Sequence, residues 1–358
     1  MSTGVVSTTR LKALLQAGVE LELSTIPPYL CALYSLRPMT NEEASLVIRS
    51  VVVEEMLHMV LAANVLNAIG GEPHVTDGHA PRYPHELPTG VVLHLLPFSP
   101  EAVDTFLKVE NPAHPHRALE ADHPLLAGRN HPRHRARCLD VDEAFHPASI
   151  GDFYHEVIRE LEAAAADIGE RALFCGDPTR QVTRDYYYAA GGRSILVGDL
   201  DSARAALNEI VEQGEGDMGS MFDDDGDLAH YYRFQQLRDG RSYRRSDHAG
   251  APTGPPVEVD YDAVYPMIAN PRSEDYRVPG LQAAAAGANR TWSELLLQLD
   301  AGFNGRPEAL LPAVHSMFKL RDQSLVLLAN PMPDHPGRNA GPTFEWDPSA
   351  RAELGMRL

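Results

Sequence analysis

The chain has 358 residues, of which 44% are hydrophobic and 23% are charged, so it has ample material for a packed core. Its formal net charge of −19 argues against nucleic acid as the main partner, because phosphates are bound by basic surfaces. No stretch approaches the roughly 20 apolar residues of a membrane span, and the N-terminus lacks the layout of a signal peptide, so we expect a cytoplasmic protein. The three cysteines have no CxxC spacing, so we expect neither a zinc site nor a disulfide framework.

The first predicted helix runs from about Thr9 to Leu36, where leucine and valine recur at helical spacing. Pro27 and Pro28 fall inside it, and each removes a backbone donor, so we expect a kink there that opens space for a substrate. Ser24 and Thr25 precede the prolines and are placed to hydrogen-bond the freed carbonyl groups.

The second predicted helix is bounded by clear signals at both ends. Residues 40–43 fit a capping box, and Gly70-Gly71 followed by Pro73 fits a C-terminal stop. Two helices of this length with a short connection favour an antiparallel hairpin within a bundle.

Residues 72–148 differ in composition, since they are rich in proline and histidine. A short extended segment is predicted at Val91–Leu96. We interpret the region as an insertion that covers one end of the bundle. Its histidines lack the regular spacing of a structural metal site.

Further helices are predicted on both sides of a Gly/Pro-rich linker at about residues 248–256. The chain is therefore expected to be mainly α, with a bundle over residues 1–247 that includes the insertion 72–148, and a C-terminal helical hairpin over residues 257–358 packed on the same domain. Before the linker, the predicted helices run from Ser149 to Ile168, from Asp201 to the glycines at 214 and 216, and over His230–Leu237. Beyond the linker, one predicted helix opens at the capping box Thr291–Glu294 and the other spans Pro307–Ala329.

The strongest chemical signal is the pair Glu55 and His58 on the second helix. At a spacing of three residues, a carboxylate and an imidazole project from one face of a helix and can bind the same metal ion. The helix is otherwise largely apolar, and burial of an unpaired carboxylate is costly. A metal cation would remove that cost.

Glu20 and Glu22 lie in an apolar run of the first helix. In an antiparallel hairpin Glu22 comes level with the Glu55 and His58 pair. Alternating glutamates point in different directions on a helix, so we expect one to face inward and choose Glu22.

The third and fourth helices offer several carboxylates each. On the third, Glu160 shares a face with apolar residues and is the preferred ligand, with Glu156 as the alternative. On the fourth, three glutamates spaced by three form one stripe, of which we choose the middle one, and the choice stays open among Glu209, Glu212 and Glu215.

A second imidazole is expected from His230, because no Glu-x-x-His pair stands on the fourth helix. Its chief competitor is His155 on the third helix. We expect the metal ions, and not a nucleophilic side chain, to carry the chemistry, with the same residues as ligands and catalytic groups. The predicted set is Glu22, Glu55, His58, Glu160, Glu212 and His230.

Residues 22–30 resemble the first ligand-bearing helix of the ferritin-like superfamily, and residues 54–58 resemble the second. More narrowly, the chain is similar to the ferritin-like domain associated with iminophenyl-pyruvate dimer synthases, the oxidative coupling enzymes of violacein-type bisindole pathways. Further stretches carry this resemblance: Pro97–Ser99 with Val109–Pro112, Ile210–Gly216 with His230–Phe234, and Phe303–Gly305 with Met317–Phe318.

The resemblance implies a ferritin-like four-helix bundle with a di-iron-type site and an oxidative role in secondary metabolism. Two iron ions are expected, with manganese as the alternative metal, although the missing second Glu-x-x-His leaves one or two ions open. The predicted activity is a dioxygen-dependent oxidation of a small, amino-acid-derived metabolite. A non-catalytic iron-storage protein and a scaffold without metal are the alternatives, and we leave open whether the chain forms a homodimer.

Overall fold

The described part of the computed structural model comprises residues 8–112, 132–135, 146–187, 191–216, 220–223 and 225–353. These residues are mainly helical, which confirms the predicted fold class. None of their helices is long and apolar enough to cross a membrane. Cys138 and four histidines of the insertion lie outside the described residues: His114, His116, His123 and His131.

The first two helices, α1 (Thr8–Ser35) and α2 (Glu42–Ala68), form the predicted hairpin. Lys12 Nζ donates to Gly70 O at 2.8 Å at one end, and Thr25 contacts Glu55 further along, so the two helices run antiparallel. The predicted capping box of α2 is wrong. Asn41, the residue before α2, has a φ of 49°, and its side chain bonds the backbone of Asp260 instead.

The two prolines lie inside α1, which continues past them to Ser35, so they do not end the helix, and the kink stays a prediction. Pro28 frees the carbonyl oxygen of Ser24, and the buried hydroxyl of Tyr83 donates to that oxygen at 2.7 Å. The predicted role of Ser24 and Thr25 is wrong in detail, because their hydroxyls bond the carbonyls of residues 21 and 22, two residues before those that the prolines free.

A second pair of helices completes the bundle. It consists of α4 (Ile150–Ile168) and α6 (Leu200–Glu215), with a short α5 (Glu170–Leu173) after the first of them. The helix α4 packs against α1 and α6, while α6 also packs against α2. At each N-terminus the side chain of the preceding residue, Ser149 or Asp199, accepts a hydrogen bond from one backbone amide.

The insertion contains a helix that was not predicted from the sequence, α3 (Pro100–Val109), capped by Ser99. Three two-residue strands, β1 (His85–Glu86), β2 (Val92–Leu93) and β3 (His134–Arg135), form a sheet in the order β2-β1-β3. Strand β1 is antiparallel to β2 and parallel to β3. The short helix α7 (His230–Asp239) packs against α3.

The C-terminal region contains the predicted helical hairpin, formed by α8 (Pro279–Phe303) and α9 (Leu310–Leu328), followed by the short α10 (Ala350–Glu353). The helix α9 packs against α1, and α8 packs against α2. The predicted start at Thr291 is wrong, because α8 begins at Pro279, and Ser293 bonds the carbonyl of Asn289 from inside the helix. The division of the chain into two parts at about residue 250 stays a prediction.

Candidate metal centre

Two groups of three buried side chains bring potential metal ligands together, and Glu55 belongs to both. The first group joins Glu22, Glu55 and His58. The second joins Glu55, Glu110 and His230. Within each group one donor atom per residue lies within 4.8 Å of the others, so each triad could hold one metal ion with Glu55 between the two positions.

The five clustered side chains lie on four helices or directly at their ends. Glu22 lies in the middle of α1, and Glu55 and His58 lie one turn apart on α2. Glu110 directly follows the last residue of α3, and His230 is the first residue of α7. The contact between α3 and α7 therefore assembles one half of the centre, and the α1–α2 hairpin assembles the other.

Both imidazoles present Nδ1 to the carboxylates. His58 Nδ1 lies 3.6 Å from Glu22 Oε2 and 3.7 Å from Glu55 Oε1. His230 Nδ1 lies 3.1 Å from Glu55 Oε1 and 3.5 Å from Glu110 Oε2. That atom is buried, and none of the described groups meets it with hydrogen-bond geometry. A buried nitrogen that points at two carboxylates without a hydrogen bond is suited to a metal ion.

The opposite nitrogen of each ring is held by a second side chain. His58 Nε2 lies 3.0 Å from Oε1 of Gln213 on α6, and His230 Nε2 lies 2.8 Å from Oε2 of Glu54 on α2. Glu54 also accepts a hydrogen bond of 2.8 Å from Arg233, one turn after His230. Such partners fix the ring orientation of metal-binding histidines, so both rings are already oriented toward the carboxylates.

Each carboxylate of the two triads is next to a hydroxyl group. Tyr154 on α4 donates to Glu22 at 2.5 Å, and Tyr29 on α1 donates to Glu110. Thr25 Oγ1 lies 2.5 Å from Glu55 Oε2 and 2.8 Å from the carbonyl oxygen of Glu22, so its single proton can go to either. These hydroxyls fix the carboxylates while leaving other oxygens directed at the imidazoles.

Burial shifts the protonation of the centre when no cation balances its charge. It raises the pKa of Glu22 to about 8, with a further increase from the charge of Glu110 and opposition from the Tyr154 hydrogen bond. Burial and the charge of Glu110 raise the pKa of Glu55 to about 7. For His230, burial would lower the pKa, but the charge of Glu110 and the contact with Glu54 raise it well above its usual value. Protons therefore compete with a cation for these carboxylates.

The donor set fits two divalent ions. It contains three buried carboxylates and two imidazoles, which is the kind of ligand set that helical bundles use for paired iron or manganese ions. Three carboxylates buried together without cations would be costly. The orphaned Nδ1 of His230 supports the same conclusion.

Four of the six predicted site residues meet in this cluster: Glu22, Glu55, His58 and His230. The alternative first-helix carboxylate, Glu20, lies outside it and accepts hydrogen bonds from Gln16 and His79. Glu22 is therefore the carboxylate of α1 that faces the centre, while Glu20 faces the insertion.

The structure does not bring Glu160 into the cluster. Its side chain is partly exposed and pairs with Arg10, and the alternative Glu156 pairs with Arg159. The expectation that Glu160 points inward is corrected, because the position of α4 that faces the α1 carboxylate is Tyr154, a turn and a half earlier.

The structure also does not bring Glu212 into the cluster. It is partly buried and lines a cavity of about 670 Å³ together with Glu215 and the exposed His155. The buried residue at this level of α6 is Gln213, which contacts His58 and also donates to Glu209 at 2.8 Å. Glu215 accepts from the backbone N–H of Gly151 at 2.7 Å, and burial raises its pKa to about 7.

Glu110 is not among the site residues predicted from the sequence. A usable signal was present, because Ser99-Pro100 fits a helix start and Glu110 ends the apolar helix that follows. An acidic residue at that end of a helix is unfavourably placed relative to the helix dipole, so it needs another reason to be there. Tyr154 and Gln213 were missed because neutral side chains gave no sign of a site.

Comparisons with known proteins agree with this architecture. Residues 15–239 match a family model described as Ferritin-like. The dichlorochromopyrrolate synthase of Lentzea aerocolonigenes is 26% identical over 319 residues, which cover 82% of this chain but 29% of that protein. A ferritin-like protein from Caulobacter vibrioides, solved at 1.95 Å resolution, matches with a TM-score of 0.59 and 23% identity over 95% of this chain and 99% of that one, which shows likeness of fold alone.

Proposed function

The chain belongs to the ferritin-like family, and we propose that it is an oxidoreductase that uses a dinuclear non-haem metal centre and dioxygen to oxidise a small substrate. The observation that carries the proposal is the sharing of Glu55 between two buried ligand triads. Paired metal sites of helical bundles are built from such carboxylates and histidines on facing helices.

We assign one metal position to Glu22 and His58 and the other to Glu110 and His230, with Glu55 between them. Two Fe(II) ions bound there would supply the electrons that reduce dioxygen. The protein holds these ligands in place: Tyr154 and Tyr29 fix the two outer carboxylates, and Gln213 and Glu54 fix the two rings. Because all five ligands are buried, water has little access to the reacting atoms.

For the substrate we propose an amino-acid-derived metabolite, of the kind that enters oxidative coupling in secondary metabolism. Support comes from the similarity to the Lentzea aerocolonigenes synthase and from the resemblance to the iminophenyl-pyruvate dimer synthase family. The chain spans 29% of the length of that synthase, so the particular metabolite is not transferred. A panel of 2-imino acids, generated from aromatic amino acids by an amino-acid oxidase, is the first set to test. The oxygen that the oxidase consumes without this protein is measured separately and subtracted.

The decisive experiment measures iron and oxygen in the same sample. Protein reconstituted with Fe(II) without oxygen should hold about two iron ions per chain, and addition of oxygen with a substrate from the panel should consume oxygen in proportion to substrate. Glu55→Ala should lose most bound iron while helix content stays nearly intact, because Glu55 serves both positions. Uptake of many iron ions per chain, with oxygen consumption independent of any substrate, would assign the protein to iron storage instead.

A further inference from the structure

An apolar cavity of about 400 Å³ lies between the α1–α2 hairpin and the α8–α9 hairpin. Its wall includes Leu23 of α1 and Met56 and Met59 of α2, the residues that directly follow Glu22, Glu55 and His58. None of the five clustered ligands lines it. The cavity therefore lies on a different face of the same two helices and is separate from the metal centre.

The charged and hydrogen-bonding groups on this wall are mainly donors. Among the described residues that line it, the charged ones are Arg49 and Arg321, although the whole chain has a net charge of −19. None of the described acidic groups forms an ion pair with Arg49, while Arg321 contacts its neighbour Asp322 at 2.9 Å. Trp292 also lines the cavity, and its indole N–H is buried without a hydrogen-bond partner among the described residues.

We propose that this cavity binds a monocarboxylate with an apolar body, at a site distinct from the metal centre. Its volume lies in the range of pockets that hold small ligands, and leucine, methionine and aromatic side chains favour an apolar body. Two guanidinium groups are suited to a carboxylate, since they form charge-assisted hydrogen bonds with it.

Two other occupants of this cavity, a neutral apolar molecule and a second copy of the chain, fit its wall less well. A neutral apolar molecule would use the lining but not the guanidinium group of Arg49, which none of the described acidic groups pairs. A second copy of the chain could cover the opening, since Phe318 on the wall is 57% exposed and Leu311 on the same helix is 50% exposed. The carboxylate is favoured because it uses both the apolar wall and the positive charges.

The test is titration calorimetry of metal-free protein with dodecanoate, indole-3-acetate and dodecanol, each below its aggregation limit. We expect saturable binding of at least one of the two acids at one site per chain. The two acids separate an aliphatic from an aromatic body, and dodecanol matches dodecanoate without the charge. Because Trp292 lines the cavity and Trp346 does not, binding should also change the Trp292 fluorescence, read in a Trp346→Phe background.

Two kinds of variant locate the site. The double substitution of Arg49→Gln and Arg321→Gln changes exposed side chains, so the protein should fold normally, and binding of the preferred acid should weaken by about tenfold or more. Val314→Phe fills the cavity and should abolish binding, whereas Val326→Phe, an exposed position of the same helix outside the lining, should not.

Several results would overturn the proposal. The first is that neither acid binds. The second is that dodecanol binds as tightly as dodecanoate and the arginine double variant keeps its affinity for dodecanoate. The third is that Val314→Phe folds and binds the acid as the wild type does. A dimer in sedimentation experiments that dissociates on Phe318→Asp, with dodecanoate excluded from it, would assign the wall to a second copy. The metal-free Glu55→Ala variant should bind the acid normally, so failure of the metal proposal would leave this result unchanged.

Discussion

The hydroxyl group of Tyr154 on α4 donates a hydrogen bond of 2.5 Å to Glu22 Oε1 on α1, and both side chains are buried. The bond leaves the second oxygen, Glu22 Oε2, on the side of His58. A neutral residue of one helix thus orients a proposed metal ligand of another.

Tyr154→Phe should weaken metal binding at the Glu22 position by about tenfold to a hundredfold, because outer partners of a ligand carry effects of this size. The measurement is an oxygen-free titration with Fe(II). The matched control is Tyr83→Phe, which removes another buried hydroxyl that bonds α1, but at the Ser24 backbone. Both variants should lose about 1–2 kcal/mol of unfolding free energy. An equal loss of metal affinity in both would show that Tyr154 acts through stability alone.

Glu110→Gln should reduce the bound iron from about two ions per chain to about one, because Glu110 serves the His230 position and not the His58 position. Elemental analysis of the reconstituted protein measures this directly. Glu160→Gln and Glu212→Gln are the controls, since both residues lie outside the cluster, and they should leave the iron content unchanged. Loss of iron in either control, with full iron in Glu110→Gln, would restore the ligand set expected from sequence.

Glu54→Gln should weaken the His230 position by about tenfold or more, although Glu54 belongs to neither triad. Burial alone would raise the pKa of Glu54, but contacts with His230 and Arg233 outweigh it and lower that pKa, so the side chain is charged and holds both partners. Fe(II) titration should resolve a weakened second ion beside an unchanged first. Glu162→Gln, which removes an exposed partner of Arg204, is the control for loss of an ion pair. Two unchanged affinities would exclude a positioning role.

The metal-free protein should lose stability as pH rises from about 4.5 to about 8. The folded-state pKa of Glu22 is raised to about 8 and that of Glu55 to about 7, above their ordinary values. Stability from the protonated forms is therefore complete at low pH and is lost as pH rises through these values. Thermal unfolding should show the loss as a shift of a few degrees, and Glu22→Gln should reduce it.

The affinity for metal should change with pH in the opposite direction to the stability of the metal-free protein. Because binding releases the protons of Glu22 and Glu55, the affinity for Mn(II), an ion that does not oxidise readily in air, should increase over the same range of pH. A metal-free midpoint independent of pH, in wild type and Glu22→Gln alike, would show that these carboxylates are not protonated in the fold.

Local sequence determined the helices and those ligands whose spacing is set within a helix or a hairpin. Glu55 and His58 are paired by helical periodicity, and Glu22 reaches their level because a short connection makes α1 and α2 antiparallel. His230 could be chosen from the need for a second imidazole and the glycines that precede it. These inferences require only the period of the helix and the direction of the chain.

Tertiary structure decided the rest. Glu110 enters the centre because α3 packs against α7, two elements separated by more than 100 residues of chain. The inward positions of α4 and α6 hold Tyr154 and Gln213, and nothing in their local sequence distinguishes them from ordinary polar residues. Periodicity predicts which face of a helix is apolar, but the rotation of that helix against its neighbours depends on side-chain packing across the whole core, and that rotation selects which polar group reaches the centre.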